Sequence, residues 1–393
     1  MKSWTALLSP VLCALMLASC ATVTAPMPPA DDLFNDALFK PASERIVPAS
    51  ALAMSPAMLQ YLDTRFLHRI RPPDRRRQLV DTLYRGDLKL EYDAAQTRTA
   101  AQAFEARSGN CLALVMMTAA FAKELGLTVH FQVAVGEESW DRANDLYIAI
   151  GHVNLVLEDN VPLSGFKFLQ APLVVDFLPS RDAELLKTRQ VGEATVIAMY
   201  LNNRAVEALT QGQIDDAYWW SREAIRIDPE LLGAYVTLGV VYRLRHRPEL
   251  SEQVLQRVAA REPDNLYAMS NRVLALRDLG RTADAEVLAQ RLAALDPHPP
   301  FSYFREGMTA LNAGRTDDAR RLFAKEVARA PYHHEFEYWL AVSYMELNDA
   351  DRATIHLKRA MEVSTTRKDH DLYAGKLDRL KALRARSQGN APS

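Results

Sequence analysis

The spacing of apolar residues changes several times along this chain, and each change marks a different piece of structure. Residues 6–17 form one apolar run behind Lys2. Leu59, Leu62, Phe66 and Leu67 then fall at helical spacing and predict a helix over 57–70, with a second over 73–84. Thr99 and Gln102 stand at capping-box spacing and predict a helix from there through Ala106. A dense run of helix formers over 112–125, stopped by Gly126, predicts a buried helix with Cys111 at its N-terminus. The period then shifts to two. Residues 128–135 alternate as a strand. Residues 151–157 predict a second, with His152, Asn154 and Val156 on one face, and 173–177 a third, with Asp176 inside an apolar run. From residue 198 onward the pattern is helical again.

In that last stretch Pro229, Pro263, Pro297 and Pro331 recur every 34 residues. The same frame repeats small and bulky positions. Leu201, Ala205, Ala208, Gly212 and Ala217 belong to the first unit, Tyr235, Leu238, Gly239, Tyr242 and Leu255 to the second, and Tyr303, Gly307, Ala310, Ala319 and Phe323 to the fourth. Small residues at fixed places let two helices approach, and bulky ones fill the groove between units. Gly212, Gly280, Gly314 and Asn348 suit the left-handed ends of first helices, and the prolines stop the second ones. A fifth unit keeps phase with Thr365 in place of its proline. The pattern resembles the tetratricopeptide repeat. That resemblance implies an all-α solenoid of five units and about ten antiparallel helices over 198–367, closed within 368–393 by a polar capping helix whose Leu372, Leu377, Leu380 and Leu383 lie on the stack. It implies a concave surface that holds a protein or peptide partner; a brace within the molecule is the other reading. Trp219 and Trp220, on the second helix of the first unit, are candidate contacts with the preceding domain.

The chain has 393 residues, which favours more than one domain, and its net charge of -2 provides no field for a polyphosphate, so nucleic acid is set aside. The basic run over 65–77 lies along a predicted helix and is assigned to a solvated face. Residues 1–20 have the features of an export signal: Lys2, the apolar run, and Leu17-Ala18-Ser19-Cys20 at the cleavage point. The last four resemble a bacterial lipobox, which implies a lipidated Cys20 and a lipoprotein anchored in the cell envelope. Ala21 favours the outer membrane, facing the periplasm. The small, Pro-rich residues 21–30 are expected to be a tether. Of three cysteines, Cys13 leaves with the signal and Cys20 carries lipid, so Cys111 is the one free thiol expected in the mature chain.

Residues 31–190 therefore hold the candidate chemistry. At a helix N-terminus, unsatisfied amides and the positive end of the helix dipole favour a thiolate. Gly109-Asn110-Cys111-Leu112-Ala113, then Leu125-Gly126-Leu127, His152-Val153-Asn154 and Val174-Val175-Asp176-Phe177, resemble the transglutaminase-like superfamily of papain-like fold, across 88–179. The resemblance implies an α+β domain with Cys111 as nucleophile, His152 as base and Asp176 as the acid that orients the ring. His130 competes as base but lies on the first strand, where that family has no catalytic group. In place of the family's common aromatic, Asn110 precedes Cys111 and Asn154 follows His152. Asn110, Asn154 and the upstream Tyr92 are thus the candidates to complete an oxyanion hole. The histidine pair His333 and His334 is assigned to solvated repeat loops, and no metal-binding spacing or cofactor motif is present in the sequence. The reading is an envelope lipoprotein acting on an amide or peptide bond, by hydrolysis or acyl transfer, with substrate or partner held by the repeats. The alternative is a catalytically inactive scaffold of the same two folds for protein–protein interaction.

Overall fold

The computed structural model describes residues 26–67, 74–84, 88, 90–94, 96–143, 146–159, 171–177 and 187–389. The export signal, Cys20, residues 21–25 and the centre of the basic run, including His68, Arg69 and Arg71, lie outside the described residues.

Helix α1 (Pro56–Leu62) starts at Ser55, whose hydroxyl caps the Met58 amide, and continues as a π-helical turn over Asp63–Leu67. Helices α2 (Arg75–Tyr84), α3 (Ala100–Ala106) and α4 (Cys111–Glu124) follow. The expected capping box of Thr99 and Gln102 opens α3. Every residue of α4 from Cys111 to Ala122 is buried, because the helix has neighbours on all sides. Tyr61 packs edge-on against Phe104 of α3 and Phe121 of α4. Two short parallel strands, β1 (Glu91–Tyr92) and β2 (Ser108–Gly109), lead into α4. Beside α4 lies an antiparallel sheet in the order β5-β4-β3-β6, formed by β3 (Thr128–Ala143), β4 (Leu146–Glu158), β5 (Leu173–Val175) and β6 (Thr188–Val191).

The β3–β4 hairpin runs well beyond the predicted segments, with a register shift between Val133 and Glu138. β6 is not among the predicted strands. Only its Val191 is buried, so it has no alternating pattern to read. The basic run departs from its assignment as a solvated face. Arg76 is 3% exposed, held by Asp74 and the Ala171 carbonyl, and Arg75 spans Asp159 and the Leu125 carbonyl.

Ten helices follow, α5 (Glu193–Thr210), α6 (Ile214–Ile227), α7 (Leu232–Leu244), α8 (Pro248–Arg261), α9 (Leu266–Asp278), α10 (Thr282–Leu295), α11 (Ser302–Asn312), α12 (Thr316–Arg329), α13 (His334–Glu346) and α14 (Ala350–Glu362). They form five helical hairpins. Gly212, Gly280, Gly314 and Asn348 end first helices with φ of 74°, 72°, 73° and 60°; in the second unit His246, at 58°, takes that place. At Gly239 and Gly307 an added Cβ would stand 2.7 Å from Leu255 and from the Phe323 ring, which is why the paired helices need a small residue there.

One hydrophobic cluster runs from the N-terminal segment through α4 and the sheet to Ala268 of α9, so the cysteine domain and the first repeats share a core. Separate clusters serve the fourth and fifth units. Between the first cluster and these two, α10 buries only Ala285 and leaves Val287 70% exposed, and a cavity of about 450 Å³ opens beside Leu295, His298, Phe301 and His333.

α15 (Arg367–Gly389) caps the stack through Tyr373, Leu377 and Leu380; Leu372 is exposed, and the side chain of Leu383 lies outside those described. The i, i+4, i+7 stripe begins one residue later than expected because Tyr373 bonds His334 and packs against Tyr338. His333 and His334 are accordingly not solvated loop residues. His333 is buried and stacks on Phe336.

A tether is absent from residue 27 onward. The Met27 amide bonds Glu230, Arg257 grips the Pro29 carbonyl and Asp32, Tyr242 donates to the Leu33 carbonyl, and Phe39 stacks on Tyr218 at 3.8 Å. Trp219 donates to the Lys40 carbonyl, while Trp220 is buried against Tyr200. Residues 27–44 thus strap the first two units.

Candidate active site

Arg107 ends α3 in the left-handed conformation (φ 52°), and the chain turns at once into β2. Backbone bonds from Glu91 to the Arg107 carbonyl and from Asp93 to the Gly109 carbonyl fix that strand. A Cβ on Gly109 would lie 2.9 Å from the Ala113 Cβ, so only glycine lets the chain enter α4 this closely. Asn110 is the N-cap. Its Oδ1 accepts from the Ala113 amide at 2.9 Å, and its Nδ2 donates to Thr97 Oγ1 at 2.8 Å. Cys111 is the first helical residue, 5% exposed, and the sole free cysteine among the described residues.

β4 carries His152 and Asn154 on one face, and β5, in register through Leu155 and Val175, brings Asp176 beside them. Asp176 Oδ2 receives His152 Nε2 at 2.7 Å and Asn154 Nδ2 at 3.1 Å. All are withdrawn from water, with His152 at 7%, Asn154 at 2% and the Asp176 side chain at 11% exposure. With Nε2 engaged, Nδ1 is buried without a hydrogen-bond partner, while Cys111 stands close enough to the ring to act on its protonation. Burial alone opposes a charged ring. The Asp176 carboxylate bonded to the ring, with Cys111 beside it, outweighs that and raises the imidazole from its ordinary 6.5 to about 9. The direction of the shift favours the charged ring.

The structure brings Cys111, His152 and Asp176 together and keeps His130 apart. His130 is about a third exposed and bonded to Gln190, with Glu158 3.6 Å away. Two of the oxyanion candidates are engaged elsewhere. The Asn110 amide caps α4 and holds Thr97, and Asn154 holds Asp176. Tyr92, paired with Gly109 across β1 and β2, is only partly buried. Of the first-turn amides, those of Cys111 and Leu112 are left after Asn110 caps the third. Sequence reasoning missed Thr97, which has no motif and is 2% exposed. Among the described residues no cluster suits a metal ion, and no helix is long and apolar enough to cross a membrane.

An α+β unit that carries Cys111, joined to stacked helical hairpins, is thus the class of architecture. The tetratricopeptide repeat family matches residues 237–300 and 304–362, wholly within α7 to α14, and these residues are tetratricopeptide repeats. Among solved structures the chain is similar to YrrB, a TPR protein with an unusual peptide-binding site, at 22% identity over 46% of this chain and 92% of that one, with a TM-score of 0.25. It is similar to TTC0263, a thermophilic TPR protein of Thermus thermophilus, at 19% identity over 46% and 98%, with a TM-score of 0.29. MamA is similar at 19% identity over 40% and 93%, with a TM-score of 0.23. No curated protein matches the chain.

Proposed function

We propose that this protein binds a protein or peptide partner through its tetratricopeptide repeats and acts on an amide of that partner with a Cys111-His152-Asp176 centre of transglutaminase-like kind. The observation that carries the catalytic half is the buried Nε2–Asp176 bond at 2.7 Å, with the thiol of Cys111, at a helix N-terminus, close enough to act on the same ring. In the proposed step Sγ attacks the carbonyl carbon while the Cys111 and Leu112 amides take the developing oxyanion. The C–N bond breaks, and the imidazolium gives its proton to the leaving amine. Water, or a second amine, then releases the acyl group from sulfur, regenerating the thiol. Asp176 keeps the ring turned to Cys111 throughout.

A second reading, a partner-binding scaffold whose cysteine domain does no chemistry, is favoured by the family match, which falls on the repeats and not on the cysteine domain. Alkylation of Cys111 by iodoacetamide separates the two. The catalytic reading expects rapid labelling at neutral pH and at least tenfold slower labelling in His152→Ala; equal, slow rates in both would leave only the scaffold. Trapping an adduct on Cys111 in an envelope extract would identify the acyl group. The export signal supports the further proposal that Cys20 is lipidated and the protein faces the periplasm from the outer membrane. Palmitate labelling lost in Cys20→Ala is the test.

A further inference from the structure

Thr97 lies on the 93–99 segment between β1 and α3, and its partners come from two different parts of the molecule. Its Oγ1 receives Asn110 Nδ2 at 2.8 Å and Asn203 Nδ2 of α5 at 3.3 Å. Its amide donates to Glu207 Oε1 of α5 at 2.6 Å, and the other Glu207 oxygen is held by Arg204, which also reaches Glu44. On the same segment Asp93 bonds the Gly109 carbonyl, and the Ala94 amide bonds the carbonyl of Thr365, at the far end of the fifth repeat. One short segment therefore touches the N-cap of the cysteine helix, the first repeat helix and the close of the last unit.

Asn110 has an amide with two ends and both are in use, one on α4 and one on Thr97. The Thr97 hydroxyl thus sets which way the cap points, and the cap sets the first turn, where Cys111 stands. Thr97 in turn is held from two sides, by Asn110 of its own domain and by the first repeat helix. The side-chain partners that hold it from the other side, Asn203 and Glu207, belong to α5.

We infer that the repeat array is a working part of the cysteine site: Asn203 and Glu207 of the first repeat helix act through Thr97 as positioning residues for Asn110, and so for the Cys111 thiol opposite His152. This rests on the proposed cysteine chemistry and adds to it that the site is incomplete without α5.

The test is alkylation of Cys111 by iodoacetamide in the full chain, followed as a function of pH in the wild type, His152→Ala, Thr97→Val, Thr97→Ser and Glu207→Ala. Valine keeps the volume of threonine and cannot accept the two amides; serine can. The expected result is a tenfold or greater fall in rate in Thr97→Val at neutral pH with a displaced pH profile, a smaller fall in Glu207→Ala, and a return to within twofold of wild type in Thr97→Ser. Should Thr97→Val fail to fold, Glu207→Ala and Thr97→Ser decide the matter on the same readout. A rate at or above wild type in Thr97→Val or Glu207→Ala overturns the inference, as does a Thr97→Ser variant as slow as Thr97→Val. If instead wild type and His152→Ala are alkylated alike, it is the cysteine chemistry that fails, a result distinct from the first.

Discussion

Asp176→Asn removes the anion that keeps the proton on His152. In the native protein the ring's pKa stands at about 9 against an ordinary 6.5, although burial pulls it the other way. A rise of that size corresponds to about 3 kcal/mol by which the fold prefers the imidazolium. Because folding raises the pKa, the contribution is complete below the ordinary value of 6.5 and is lost as pH climbs through about 9. Asparagine has nearly the same shape and still accepts a bond from Nε2, but it carries no charge. Burial then dominates, and the ring's pKa drops well below that of the wild type. NMR titration of the His152 ring in both proteins reads this directly. Unfolding measured from about pH 6 to about pH 9.5 reads the same linkage: the stability gap between wild type and variant is largest at the acid end and narrows by up to about 3 kcal/mol toward the alkaline end. A wild-type ring that titrates near 6.5, or a gap that does not move with pH, would refute the reasoning.

Three further substitutions test the parts that hold the site. Gly109→Ala places a methyl against the Ala113 Cβ at 2.9 Å, and is expected to shift the start of α4 and slow alkylation of Cys111 at least fivefold with little change in helix content by circular dichroism. Tyr242→Phe removes the hydroxyl that donates to the Leu33 carbonyl and accepts from the Asn35 amide; loss of about 1–3 kcal/mol is expected, with faster proteolytic cutting within residues 27–44. Gly307→Ala sets a Cβ 2.7 Å from the Phe323 ring, and overpacking of about 1–3 kcal/mol should exceed the roughly 1 kcal/mol gained in helix propensity, lowering the melting temperature.

What the sequence made legible was whatever leaves a period or a local chemical signature. The 34-residue phase of the prolines foretold five helical hairpins because each turn needs the same small or left-handed residue at the same place. The run after Cys111 announced a buried helix, and Thr99 with Gln102 announced its predecessor's cap. Contacts between distant segments left no such trace. Nothing in residues 27–44 marks Leu33 or Lys40 as offering carbonyls to Tyr242 and Trp219, since backbone acceptors carry no sequence. Arg76 looked like surface because its partners, Asp74 and the Ala171 carbonyl, depend on tertiary packing. At the site it was the resemblance of the motifs that pointed to Cys111, His152 and Asp176, whereas the engagement of Asn110 by Thr97 and of Asn154 by Asp176 follows from tertiary packing. A side-chain amide can cap, bridge or bind, and its residue type alone does not say which.

The energetics of the buried polar set bear on why it is there. His152 Nδ1 and Asn154 Oδ1 are both buried without a hydrogen-bond partner, and each such atom costs about 1–3 kcal/mol. Around them a carboxylate and an imidazolium have been taken out of water, where replacement by apolar residues of similar size is often neutral or stabilising by about 1–4 kcal/mol. Removing one partner alone is different: His152→Leu takes the charged partner from the Asp176 carboxylate, at a cost of about 3–5 kcal/mol. If the set serves to hold the fold together, replacing all of it must hurt more than replacing one member. If it is retained for chemistry at the expense of stability, the order reverses. The triple variant His152→Leu, Asn154→Leu, Asp176→Leu is therefore expected to melt at or above the wild type, the single variant His152→Leu below it, and both to have lost rapid alkylation of Cys111. A triple variant that melts below the single one would make the buried cluster a structural element, and its orphaned atoms would then need another explanation.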